Sequence, residues 1–300
     1  MAAVIDHSRA PVEQPRVPVA GRARRARGAR PRPNLLGGLG GWLWLVVIVV
    51  PIYYIVIGSF KSQTGYFDSN PLLPTPEPTL ENYATVLDNG FFRYLANSAV
   101  VTAGAVLPAV LLAFMAAYPI VRSRSRVAGL ANSMFLMGLA LPLQATIVPI
   151  YLIIGELGLY DTLLGLVLPA IAFALPVTVL ILSNFMRDIP RELFESMYVD
   201  GATNWTILWR LVLPMTRPAL TTVAIYNALG VWNGFLFPLI LTQSDEQRVL
   251  PLSLWSFQGE YSVNVPAILA SVVLSTLPLV VVYVIGRRQL VSGLTAGFNR

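Results

Sequence analysis

The sequence predicts an all-α membrane protein with six transmembrane helices, and three observations carry that prediction. Hydrophobic residues make up 55% of the chain and charged ones 12%, with a mean hydropathy of +0.65, whereas soluble domains carry about a quarter charged residues. Six apolar runs, 42–58, 97–118, 130–154, 163–185, 219–242 and 265–286, come near the roughly 20 residues a helix needs to cross hydrocarbon. The 21 basic and 15 acidic side chains fall outside these runs or at their edges, as expected when a charge at a helix centre costs at least about 2.5 kcal/mol.

The elements follow in order. Residues 1–40 hold eight arginines among Pro, Ala and Gly without apolar periodicity, which reads as a disordered basic tail. Such a tail suits fixing topology and touching anionic lipid better than binding nucleic acid. Residues 41–300 are expected to form one membrane domain. Counting alternate inter-span segments places 18 basic residues on one side and 3 on the other. By the positive-inside rule both termini are cytoplasmic.

The loop after the first run carries Pro71, Pro74, Pro76 and Pro78, and then Thr79 as an N-cap candidate for a short helix opening at Leu80-Glu81-Asn82-Tyr83. The loop 243–264 holds Trp255, Phe257 and Tyr261, a pattern suited to an interfacial aromatic belt. Both loops are external by the charge count. Within the spans Pro51, Pro108, Pro142, Pro149, Pro169, Pro176, Pro238 and Pro278 each remove a helical hydrogen bond. In lipid that is tolerated where neighbouring helices or a wet cavity satisfy the freed carbonyls, so a packed bundle around a path is expected.

Polar side chains available to such a path are Asn97, Ser98, Gln144, Thr146, Asn227, Trp232 and Asn233. Amides, hydroxyls and an aromatic face suit neutral polyhydroxy compounds. The same groups also serve as interhelical hydrogen-bond partners, and both readings stand at this level. There is no cysteine, and the one histidine, His7, lies in the tail. Thiolate chemistry and Cys-ligated metals are thereby excluded, and no metal site is expected. With no intramembrane carboxylate either, an intramembrane enzyme lacks its nucleophile and base. No catalytic residue is assigned.

The segment 190–214 differs from everything around it. Pro190 suits the first turn of a helix, and Leu193, Phe194, Met197 and Tyr198 then recur at spacings of three and four. Gly201 breaks that helix. Thr203 can cap a second one, in which Trp205, Leu208, Trp209 and Val212 share a face, and Pro214 and Pro218 punctuate the return to the bilayer. This helix, Gly turn and helix faces the cytoplasm. An amphipathic pair of this kind lies flat in headgroups or inserts its apolar knobs into a protein partner, and periodicity does not choose between the two.

Glu195-Ser196-Met197, Asp200-Gly201-Ala202-Thr203 and Leu211-Val212-Leu213-Pro214 resemble the EAA motif of ABC-importer permeases. Asn82-Tyr83, Asn97-Ser98, Ala117-Tyr118 with Arg122, 158–162, 189–193, Trp232-Asn233 and 293–297 are similar to the maltose-type carbohydrate-uptake subgroup, over roughly residues 40 to 300. The resemblance implies an ABC type I importer permease fold in a bacterial plasma membrane. It also implies that 190–214 is a coupling element docking on a cytosolic ABC ATPase dimer. Carried over by residue, Glu195 and Asp200 would contact the ATPase and Gly201 would set the turn beside Ala202. Leu193, Phe194, Met197 and Tyr198 would fill the partner's cleft. Ser196, Met197, Thr206 and Gly234 depart from the family pattern.

No phosphate-binding G-x-x-x-x-G-K-[ST] loop occurs in the chain. That agrees with the resemblance, which implies that ATP and Mg belong to the partner ATPase, and the chain is expected to bind no cofactor. A second permease subunit and an extracytoplasmic solute-binding protein complete the expected assembly. The alternative is a facilitator working without an ATPase, which leaves 190–214 without a task.

Overall fold

The structure, a computed structural model, describes residues 35–259 and 263–295, with side chains over 37–259 and 263–284. The basic tail up to residue 34, Tyr261 and Ala296-Gly297 lie outside the described residues. The chain divides into two compact units, residues 1–47 and 48–300. Of the first, the described part is the leading stretch of a helix whose apolar side chains, Trp42 to Val47 among them, are exposed.

In chain order the helices are α1 (Leu35–Gly58), α2 (Gln63–Asp68), α3 (Glu81–Asp88), α4 (Phe91–Arg122), α5 (Arg126–Leu139), α6 (Ile147–Glu156) and α7 (Leu163–Arg187). There follow α8 (Arg191–Val199), α9 (Asn204–Ile207), α10 (Leu213–Trp232), α11 (Leu236–Leu241), α12 (Leu250–Ser253) and α13 (Val265–Thr295). Four of these, over 37–58, 91–122, 163–187 and 265–284, are long and apolar enough to cross a membrane. They cover four of the six apolar runs.

The other two runs are broken. The run 130–154, expected as one span, is α5 and, after a break at residues 140–142, a 3-10 turn leading into α6, the two halves bent by 101°. Pro142 explains the break, because a residue preceding proline is pushed out of the α region and the ring removes a donor. The run 219–242 is the end of α10 and all of α11, parted at Asn233-Gly234-Phe235. Helix α10 also starts earlier than expected. α9 continues through a π turn over 208–212 into α10, with the Leu213 N–H reaching the Leu208 carbonyl. Pro214 and Pro218 therefore do not interrupt the return. The widened turn accommodates a ring that in a regular helix would crowd the carbonyl four residues earlier.

Two further boundaries moved. α4 opens at Phe91, after Gly90 at φ 79, rather than at Asn97. Leu80, not Thr79, is the cap position of α3, although the Thr79 hydroxyl still accepts the Glu81 N–H at 3.1 Å.

The most extensive packing is α4 against α7, which run parallel, since Val101 early in α4 meets Leu166 and Val167 early in α7 and Tyr118 late in α4 shares a core with Leu182 and Met186 late in α7. Ala105, Ala109, Ala113 and Ala117, one every fourth residue of α4, are each 0% exposed. Small side chains on one stripe let backbones approach and gain dispersion contacts, which is what drives helix association where lipid offers no hydrophobic contrast. Gly138 does the same for α5, since a Cβ there would come within 2.9 Å of the Pro176 ring. A core of Phe114, Tyr118, Val179, Leu182 and Met186 fills the end of the α4–α7 pair that bears 190–214. The opposite end is stitched by loops. Asn97 Nδ2 donates to the carbonyls of Glu246 and Arg248, both at 2.8 Å, and the Ser98 hydroxyl accepts the Leu250 N–H at 2.9 Å.

Candidate functional site

The 190–214 segment is built from two short helices whose ends are fully specified locally. Pro190 precedes α8 and Glu192 sits in its first turn, where a carboxylate complements the helix dipole. At the other end the Ala202 N–H bonds to the Met197 carbonyl at 2.9 Å and the Gly201 N–H to that of Tyr198 at 3.0 Å. That pair is a Schellman motif, and it requires the left-handed residue that Gly201 supplies at φ 79. The Thr203 hydroxyl accepts the Thr206 N–H at 3.3 Å and caps α9.

The apolar face expected on α8 is split. Phe194, 1% exposed, lies in the core with Leu182, Met186, Ile207 and Leu208, and Met197 packs against the same cluster. Leu193 and Tyr198 are exposed, and Val199 is 87% exposed. The reason is angular. At about 100° per residue, Phe194 and Met197 occupy the middle of the stripe and Leu193 and Tyr198 its flanks. The middle docks α8 on its own chain, so Phe194 is not offered outward. Trp209 likewise turns in, 5.8 Å from the Phe114 ring, while Trp205 stays 58% exposed at the rim with its ring 5.4 Å from Trp209. Glu195, Asp200 and Gly201 are exposed and Ala202 is half-buried. No ion pair among the described residues involves Glu195 or Asp200. The outward surface thus combines Leu193, Tyr198, Val199 and Trp205 with two free carboxylates.

The residues expected along a path do not converge. A cleft of about 670 Å³ opens between α4, α7, α10 and α11, and of those residues only Asn227 lines it. Asn227 is buried, and its Nδ2 donates to Thr178 Oγ1 at 2.8 Å, which in turn donates to the Ala174 carbonyl. Trp232 and Asn233 line a different groove of about 330 Å³ with Phe235 and Trp255. There the Trp232 Nε1–H points at the Ser275 carbonyl, 3.4 Å away, and Asn233 Nδ2 donates to the Leu229 carbonyl. Gln144 is exposed in the turn between α5 and α6, next to Leu143 on the large cleft. Asn97 belongs to the loop-stitched end.

Phe173, Tyr226, Phe235 and Phe237 were not singled out from sequence, yet they line the large cleft, with the Phe173 and Phe237 rings 5.5 Å apart. In an apolar run an aromatic facing a cleft has the same local signature as one facing lipid. Only the break at 233–235 brings these rings together.

Residues 109–295, which include the whole 190–214 segment, match the family described as "Binding-protein-dependent transport system inner membrane component". The diacetylchitobiose uptake system permease protein NgcG of Streptomyces coelicolor is 33% identical over 261 residues, covering 86% of this chain and 86% of the relative. The trehalose/maltose transport system permease protein MalG of Thermococcus litoralis is 31% identical over 265 residues, covering 86% of this chain and 94% of the relative. Among solved structures, a chain of a bacterial ABC transporter involved in the import of the acidic polysaccharide alginate superposes with a TM-score of 0.74. That match covers 85% of this chain and 95% of that one at 22% identity, a likeness of fold. The helical bundle, its broken spans and the capped 190–214 segment thus sit in a known setting: the chain belongs to the family of binding-protein-dependent transport system inner membrane components.

Proposed function

We propose that the chain is the pathway-forming permease subunit of an ATP-driven importer of neutral carbohydrate, with 190–214 as its coupling element. The observation that carries this reading is the division of labour within α8. Phe194 and Met197 hold the element on its own bundle, while Leu193, Glu195, Tyr198, Val199 and Asp200 remain outside. An anchored element with a free, mixed apolar and acidic surface suits docking into a partner's cleft, where buried aromatic and aliphatic knobs carry affinity. A helix lying in headgroups would turn its apolar centre to the lipid, and here that centre faces the protein.

Six spans follow if the bent α5–α6 pair and the α10–α11 pair each count as one broken span beside the four long helices. Broken helices are tolerated at membrane depth where they line a cavity, and the α10–α11 break lines the large cleft. The charge bias places both termini and 190–214 in the cytoplasm. A dimeric cytosolic ATPase holding ATP and Mg, a second permease subunit and an extracytoplasmic binding protein complete the machine. The uncharged aromatic cleft and the sugar names of the relatives favour a carbohydrate substrate.

The test is assembly and coupled turnover. Glu195→Lys and Gly201→Arg should each abolish co-purification of the ATPase and transport. If both variants keep the ATPase and transport normally, the coupling assignment is wrong. Transport that persists with no ATPase at all would favour a facilitator. Substrate-stimulated ATP hydrolysis by the complete complex in proteoliposomes, read across a panel of sugars, identifies the substrate.

A further inference from the structure

Where α8 meets the bundle, the contact is unusual in kind. Arg122, in the last turn of α4, holds its guanidinium carbon 3.9 Å from the centroid of the Phe194 ring. Its Nε is buried with no hydrogen-bond partner, and no ion pair among the described residues includes it. The cation is therefore held by the face of an aromatic ring. One turn earlier, the Tyr118 hydroxyl donates to Asn204 Oδ1 at 3.2 Å, and the same oxygen accepts the Tyr198 hydroxyl at 2.7 Å. Asn204 opens α9 and Tyr198 belongs to α8, so the last two turns of α4 grip both helices of the element. Beside this grip lies an open cleft of about 620 Å³ lined by Tyr118, Arg122, Tyr198, Asn204 and Trp205.

These features separate attachment from mobility. A cation over a ring is attracted to a broad negative face, and it keeps contact as the two slide. A bidentate carboxylate pair fixes both position and angle. The cleft, lined by Arg122 and not by Phe194, leaves room on the guanidinium side of the contact for such sliding, while the ring stays close-packed in the core. α4 is also the helix packed most extensively on α7 and on α10. A displacement delivered at Phe194 therefore enters the helix with the widest reach in the bundle.

We propose that Arg122 and Tyr118 are positioning residues for coupling. They form a sliding joint that passes movement of the 190–214 element into α4 while keeping the element attached. The proposal rests on the coupling reading given above, and the experiment separates the two.

The complete complex, with its ATPase and binding protein, is reconstituted with Arg122→Gln, Arg122→Lys and Tyr118→Phe, and with Glu195→Lys as control. Expected for Arg122→Gln are retained ATPase co-purification and basal hydrolysis. Transport per ATP hydrolysed should fall about fivefold, as loss of a partly desolvated cation–ring contact implies. Arg122→Lys, which keeps the charge without the planar stack, should recover part of that loss. Tyr118→Phe, which removes a hydroxyl alone, should lower the ratio about twofold.

An assembled Arg122→Gln complex with an unchanged transport-to-ATP ratio overturns the proposal. So does a variant that only reduces the yield of complex, since that is a structural role. Should Arg122→Gln not assemble, an unchanged ratio in Tyr118→Phe is decisive against it. If Glu195→Lys keeps its ATPase and normal transport, the coupling reading fails and the sliding joint falls with it.

Discussion

The two ends of the bundle are held by different forces. At the end bearing residues 61–90, 157–162 and 242–258, the loops are stitched by directional hydrogen bonds to buried groups. Asn82 Nδ2 donates to the carbonyls of Ser59 and Lys61, both at 2.8 Å, and Lys61 Nζ donates to Ser69 Oγ and the Asn70 carbonyl. Asp161 accepts the N–H groups of Gln243 and Ser244. At the end bearing 190–214, docking rests mainly on apolar side chains and a cation over a ring, with Asn204 Oδ1 as one shared hydrogen-bond acceptor beside them. Hydrogen bonds fix distance and angle, whereas apolar contact is non-directional. The stitched end is therefore suited to holding a fixed outline. The apolar end is suited to small rigid-body shifts without losing its attachment.

The contrast can be broken most severely at Phe194. Phe194→Ala should cost about 3–5 kcal/mol through lost burial and a residual cavity, read as a lower melting temperature of the purified protein and loss of ATPase association. On the stitched side, Asn82→Ala should cost about 2 kcal/mol by removing two hydrogen bonds and leaving buried carbonyls unpaired. Its melting temperature should fall while ATPase association is kept, and a loss of association would erase the distinction between the ends.

Gly201→Ala should cost about 1 kcal/mol, since a Cβ at that left-handed φ is strained although no neighbouring atom lies within 4 Å of it. Denaturation of the purified protein checks the size. Asp161 gives the smallest effect. The Gln243 amide, aided by that of Ser244, holds its carboxyl below the usual range against the opposing effect of burial. A depressed carboxylate pKa contributes stability that is full above the unfolded-state value of about 3.9. That contribution is lost as pH falls through the lower folded value. Asp161→Asn should leave the protein less stable than wild type at neutral pH, and the gap should close on acidification.

The Asp161 residue also shows why part of the fold is not legible in sequence. It stands at φ 57 and bonds to a loop some eighty residues away, a pairing that no local pattern announces. By contrast the Schellman ending at Gly201 and the Thr203 cap were readable, because each is decided within a few residues. The large cleft lay between these extremes. Asn227 was visible as a polar side chain in an apolar run, but Phe173, Tyr226 and Phe237 were not distinguishable from lipid-facing aromatics.

Apolar runs in the sequence already marked a membrane-crossing chain, with long helices around 97–118, 163–185 and 265–286, the first of which opens six residues earlier in the structure, and with a capped helix, Gly turn and helix between them. Hydrophobic run length, charge exclusion and capping are properties of neighbouring residues, so they survive without knowledge of the fold. Long-range packing decided that Asn227 meets the cleft while Asn97 and Asn233 do not, and that Phe194 faces inward under Arg122. Those outcomes depend on which surfaces pack together at long range. Periodicity places a residue on a face of its own helix, and packing decides what that face meets.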